Sequence, residues 1–193
     1  MNQTAETGNE TLSPIYLKEV FKSKNPALAR WIPGFVYSWL NRIICIDDIN
    51  DFIRKHGDRK GIDFADAIVE YLNLTFQTEG ITNLPSPQGR YIFVSNHPLG
   101  GPDGIALISF LGKYYPDLKF PVNDILLNLK NLNNIFLPVN KHGGMSREAV
   151  KAIASAYTSD NQIIMFPAGL CSRKIKGKIE DLEWQKNFIV EAV

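Results

Sequence analysis

From residue 91 onward the chain is written in short alternating pieces, and this limits its fold more than any other feature. Four β-rich runs, YIFVSN (91–96), LKFPVN (118–123), NIFLPVN (134–140) and QIIMFPAG (162–169), each end at glycine, proline or asparagine. Two helical stretches, GIALISFLGKYY (104–115) and SREAVKAIASAYTS (146–159), lie between them. Strands alternating with helices predict an α/β domain with a mostly parallel sheet flanked by helices. In such a sheet the default site lies in the loops at the carboxyl ends of the strands. Two loops qualify, SNHPLGGPDG after the first run and FPAGLCSRK after the last.

The chain before this domain reads differently. Ser13-Pro14 is a helix-start pair, an N-cap followed by proline at the first helical position, and predicts a short helix to about Lys22. Residues 26–46, PALARWIPGFVYSWLNRIICI, interleave Trp31, Phe35, Tyr37, Trp39 and Leu40 with only Arg30 and Arg42 as charges, and Pro33-Gly34 divides them. Such a piece belongs in a core or at a membrane surface. Apolar residues at Ile62, Ala65, Ile68, Val69, Leu72 and Phe76 have the three-and-four spacing of a helix packed on one side. The expected organisation is a polar tail and helical, membrane-apposed segment over 1–60, then the α/β domain over 61–193.

With 193 residues, 45% of them hydrophobic, the chain can bury one real core. Its formal net charge of +1 gives no basic field for nucleic acid, and no arginine-rich tract supplies one locally. Cys45 and Cys171 lie far apart without CxxC spacing, so neither a disulfide framework nor a zinc site is expected. The polar opening MNQTAETGNETLS has no apolar signal-peptide core, and no stretch approaches the ~20 apolar residues of a membrane span. The expectation is a cytoplasmic protein, peripheral on the inner face of the cell membrane. Nothing in the sequence sets an oligomeric state.

The first loop places His97 and Asp103 across Pro98, Gly100, Gly101 and Pro102. A histidine at a strand end can act as general base for a hydroxyl when a carboxylate holds its other ring nitrogen. Backbone N–H groups of Gly100 and Gly101 are then candidate donors to an oxyanion. The plainer alternative has Asp103 capping a helix at Gly104, with His97 a surface residue. The loop by itself leaves both open. The second loop brings a small Ala-Gly turn, the Ser172 hydroxyl and the Arg173 cation to the same sheet edge.

Asparagine-histidine with a following aspartate at one strand end, and FP-x-G-x-x-SR at a later one, resembles the glycerolipid (lysophospholipid) acyltransferase family. NHPLGGPDG, LPVNKHGG with its SREA helix, and FPAG-x-x-SRK are more similar to its hemolysin-like bacterial branch, which includes the ornithine and glycine lipid O-acyltransferases. The resemblance spans roughly Lys55 to the C-terminus. It implies a glycerol-3-phosphate acyltransferase-like fold and transfer of a fatty acyl group from acyl carrier protein or acyl-CoA, as co-substrate, to a lipid hydroxyl. It also implies roles: His97 as base, Asp103 orienting it, and Asn96, Gly100, Gly101 and Gly169 shaping the pocket. Asn140 and Lys141 would bind the acceptor, and Ser172 with Arg173 an anionic head group.

The chain departs from the broad family in three ways. Five residues rather than four separate His97 from Asp103. Ala168 and Leu170-Cys171 replace the family's acidic residue and Thr-Arg pair in the third motif, which suits a single carboxylate better than a phosphate dianion. The family's fourth motif has no counterpart before Val193, as in a truncated or shortened homologue. The expected acceptor is a lyso-amino-acid lipid. A lysophosphatidic acid acceptor and a non-catalytic lipid-binding fragment are the alternatives.

Other features read plainly. His56, His97 and His142 lack metal-ligand spacing, and no metal or cofactor is expected. Cys171 reads as a small packing residue rather than a nucleophile. SRKIKGK (172–178) reads as a solvated basic edge, beside the site and open to anionic groups. A serine hydrolase lacks its G-x-S-x-G turn, and a nucleotide site lacks both glycine-loop signatures.

Overall fold

A computed structural model describes residues 14–123, 126–139 and 146–192. They fall into two compact units, Met1–Asp58 and Arg59–Val193.

The first unit holds α1 (Leu17–Lys24), α2 (Pro26–Trp31), α3 (Gly34–Ile44) and α4 (Ile46–His56). The first helix starts three residues later than Pro14 predicts, because the backbone of Ile15 is engaged elsewhere: its N–H and C=O both bond the Asn50 side chain, at 2.7 and 3.0 Å. Asn25 caps α2 by accepting the Leu28 N–H at 2.9 Å, and Pro26 takes the first helical position. The Pro33-Gly34 break falls as expected between α2 and α3. Tyr37 is buried, edge-on to Phe21, with its hydroxyl donating to the Ala29 carbonyl at 3.2 Å. Cys45, at φ 55°, turns the chain directly from α3 into α4, a helix that the sequence pattern did not predict. On α3 the residues Phe35, Trp39 and Ile43, one turn apart, are all exposed.

The second unit begins with α5 (Gly61–Tyr71), five residues shorter than the apolar spacing predicts. Asn73 enters the left-handed region at φ 48°, the Asn73 N–H bonds the Glu70 carbonyl, and the Leu74 N–H reaches back to Val69. Those two bonds form a Schellman stop. Phe76 still packs edge-on against Phe110, but from an irregular segment.

The sheet contains β1 (Ile92–Val94), β2 (Leu118–Asn123), β3 (Phe136–Val139) and β4 (Gln162–Met165), in the order β1-β4-β2-β3, with every pairing parallel. Helix α6 (Gly101–Gly112) connects β1 to β2, and α7 (Arg147–Thr158), N-capped by the Ser146 hydroxyl, connects β3 to β4. The predicted α/β class with a parallel sheet is the observed one. Its centre is β4, whose Ile163 and Ile164 are fully buried, as are Phe64 of α5 and Ile108 of α6. A Cβ on Gly112 would come within 2.7 Å of Ile62, so glycine sets how closely α5 and α6 approach.

After β4 the chain forms a hairpin, β5 (Arg173–Ile175) and β6 (Lys178–Glu180), where the sequence suggested only a basic edge. Its two loop residues, Lys176 at φ 48° and Gly177 at φ 86°, give the doubly positive pattern of a type I′ turn. The final helix is α8 (Asn187–Ala192).

Candidate active site

Because β1 and β4 are neighbours in register, with Val94 opposite Met165, the loops that follow them leave the same end of the sheet side by side. A bond from the Ser95 N–H to the Met165 carbonyl (3.1 Å) carries the pairing one step further. Residues far apart in sequence are thereby brought together, and His97 stacks flat on Phe166, centroids 4.0 Å apart and 14° from parallel.

The imidazole is held from its other edge. His97 Nδ1 lies 3.1 Å from Asp103 Oδ2, and the same oxygen accepts the Leu99 N–H at 2.8 Å and the Gly100 N–H at 2.9 Å. With two amides donating to that oxygen, Nδ1 carries the hydrogen toward it, and Nε2 keeps its lone pair for a substrate proton. The side chains of His97 and Asp103 are 18% and 13% exposed, shielded from bulk water yet reachable. The two readings of Asp103 are therefore one. It is the third residue of α6 and caps that helix, and it also orients the histidine.

Gly100 donates its N–H to Asp103, so of the two glycines Gly101, at the first position of α6 where an amide has no intrahelical acceptor, is the candidate donor toward an anion. Gly100 is needed for its backbone: φ is 90°, and a Cβ there would lie 3.5 Å from Cys171 Sγ in the facing loop.

Ser172 is engaged within the protein: its hydroxyl donates to Asp181 across the base of the hairpin, and its N–H donates to the His97 carbonyl at 2.8 Å, tying the two loops together. Asp181 also accepts the His97 N–H at 3.3 Å through Oδ1 and the Trp184 indole N–H at 2.9 Å through Oδ2. The hydrogen bonds from Ser172 and Trp184 hold its carboxyl below the ordinary carboxylate range, so it is an anion at neutral pH. Neither Asp181 nor Phe166 was singled out in the sequence. A Lys-Gly pair between the triplets RKI and KIE is a hairpin signal, and following it across the turn leads from Ser172 to Asp181.

Arg173 opens β5, exposed and opposite Glu180 in the ladder. Gly169 makes the turn after Phe166 at φ 65°, its N–H donating to the Phe166 carbonyl at 2.9 Å. Asn96 is exposed, and its amide oxygen accepts from the Ser95 hydroxyl at 3.3 Å. Cys171 is exposed rather than packed. Asn140, Lys141 and His142 lie outside the described residues. They follow β3, which is separated from β4 by β2. His56 stacks on Phe52 in the first unit, and among the described residues no group of His, Cys, Asp and Glu could hold a metal.

Known proteins resemble the chain over most of its length. A lyso-glycine lipid O-acyltransferase of Bacteroides thetaiotaomicron is 43% identical over 186 residues, covering 96% of this chain and 68% of the relative. A lyso-glycine lipid O-acyltransferase of Phocaeicola vulgatus is 41% identical over 186 residues, covering 96% of this chain and 66% of the relative. The chain thus spans about two thirds of the length of both. No solved structure matches it. The family model described as Acyltransferase matches residues 19–193, which include the His97 loop, the Phe166 loop and the hairpin. A buried-edge histidine held by a helix-capping aspartate therefore sits in a chain that belongs to the acyltransferase family.

Proposed function

We propose that this chain moves a fatty acyl group from a thioester donor, acyl carrier protein or CoA, to the hydroxyl of a lyso-amino-acid lipid of the glycine type. The observation that carries the reading is the His97 Nδ1 to Asp103 Oδ2 contact of 3.1 Å, with Nε2 left as the acceptor. In the reaction Nε2 takes the proton of the lipid hydroxyl as its oxygen attacks the thioester carbonyl carbon. The oxyanion that forms is within the reach of an amide donor at the start of α6, for which Gly101 is the candidate. When the tetrahedral intermediate collapses the C–S bond breaks, and the imidazolium returns its proton to the departing thiolate. An oxygen ester and a free thiol are the products, and no cofactor enters the balance. Asp103 stays a carboxylate throughout and stabilises the imidazolium.

The acceptor's single carboxylate is assigned to Arg173, exposed at the start of β5. Lys141 is a proposed second cation. A membrane surface as the place of work, on the inner face of the cell membrane, is supported by the exposed Trp31, Phe35, Trp39 and Ile43, the first of them 83% accessible. The exposed Lys174, Lys176 and Lys178 of the hairpin suit anionic lipid. Among the described residues no helix is long and apolar enough to cross a membrane.

The test is acyl transfer by the purified protein to lyso-glycine lipid, with acyl carrier protein and CoA thioesters supplied in parallel and the diacylated product identified by mass spectrometry. Efficient acylation of lysophosphatidic acid with none of the lyso-glycine lipid would overturn the acceptor assignment.

A further inference from the structure

The hairpin β5–β6 has a cationic tip, but its base carries more information. Arg173 pairs with Glu180 at the open end of the ladder, so Ser172 and Asp181 are the next cross-strand pair, and their side chains are hydrogen-bonded. The I′ turn thus returns the chain to where it left the β4 loop and delivers a carboxylate beside His97. That carboxylate takes the His97 N–H, while the Ser172 N–H takes the His97 carbonyl at 2.8 Å. Both main-chain polar groups of the histidine are consequently bound by this pair, independently of Asp103, which holds only the ring and the amides of Leu99 and Gly100. Residues 181–185 are anchored in turn, through the Trp184 indole to Asp181 and the Gln185 N–H to the Pro167 carbonyl at 3.1 Å.

We infer that Asp181 is a positioning residue: with Ser172 it clamps the backbone of His97, so that the imidazole meets the acceptor hydroxyl at a fixed place instead of moving with a glycine-rich loop. The inference rests on the acyl-transfer reading for its kinetic consequence but not for the clamp itself. A hydrogen bond to a charged acceptor is strong enough to matter here, and small displacements of a base are costly in rate. Oδ1 can be mimicked by an amide oxygen, which predicts rescue of the His97 contact by asparagine although the Trp184 bond to Oδ2 is lost.

The clamp is read without substrate by amide hydrogen exchange at His97. Asp181→Ala should speed that exchange roughly tenfold or more, and Asp181→Asn should restore most of the protection. In turnover, Asp181→Ala should lower kcat about 10- to 100-fold with KM for both substrates nearly unchanged, and Asp181→Asn should recover most of the loss. In a His97→Ala background the same substitution should cost nothing further, since the clamp acts through the histidine. Unchanged exchange at His97 in Asp181→Ala overturns the clamp whatever the activity. An equal further loss of rate in the His97→Ala background overturns the positioning role and makes Asp181 a general support of the fold. If the wild type transfers no acyl group, the function fails and the exchange result alone decides the clamp.

Discussion

The two units use their aromatic residues in opposite ways. In the second unit Phe120 lies edge-on to both Phe136 and Phe166, and Phe166 in turn carries the His97 ring, so an aromatic chain leads from the sheet to the proposed base. In the first unit Trp31, Phe35 and Trp39 are 83%, 74% and 60% exposed, although they stand in helices whose other faces are packed. A row of large apolar side chains in water is unfavourable by roughly 25 cal/mol per Å² that could have been buried, so it needs a reason outside the unit. The difference teaches that aromatic residues are placed for two ends: one unit packs its rings behind the proposed base, and the other leaves them on its surface.

The largest expected effect falls on the second unit. His97→Ala should lower turnover by about 10²–10⁴-fold with little change in Tm, as a general base contributes to rate and not to the core. Normal turnover by a folded variant would remove the contrast by leaving the second unit with no reacting group. Arg173→Ala should raise the acceptor KM about 10- to 100-fold while leaving the acyl-donor KM alone, the loss of one charge-assisted contact. An equal rise in both would make the arginine part of a general anionic surface instead. Gly100→Ala tests whether the loop is as rigid as its φ of 90° requires. A loss of about 1–3 kcal/mol in stability is expected from forcing a Cβ into that region, measured by denaturant unfolding. The smallest effect on chemistry should come from the first unit. Trp31→Ala with Trp39→Ala should abolish flotation with vesicles yet leave transfer to detergent-dispersed lyso-lipid within about twofold, as side chains that meet only the bilayer touch no reacting atom. Unchanged flotation would end the surface role.

How much could be read beforehand depended on the range of the interactions. The four strands and the helices α6 and α7 were legible because period and punctuation are local. The end of α5 was not, since Asn73 stops the helix by a left-handed turn while the apolar spacing runs on to Phe76. Within the site, the motif that pairs His97 with Asp103 is contained in seven residues and could be seen as two alternatives. That both hold at once follows from Asp103 Oδ2 serving three donors, which no spacing rule states. The diversion of Ser172 to Asp181 was hidden because it depends on a hairpin register formed only after the chain has turned back. The Phe166 platform was hidden because it depends on strand order: β4 inserts next to β1 only in the folded sheet.

The single oxygen at Asp103 has an evolutionary consequence. One atom starts a helix of twelve residues and orients the proposed base, so a change at this position is seen by selection as two phenotypes at once. A replacement such as asparagine, whose amide oxygen can still accept the Gly100 N–H, would preserve the cap while weakening the hold on the imidazole. A lineage passing through it would retain a folded protein whose stability hides the loss. Descendants of this fold that have become lipid carriers without turnover are therefore best sought by reading this one position, in chains whose neighbouring glycines are intact.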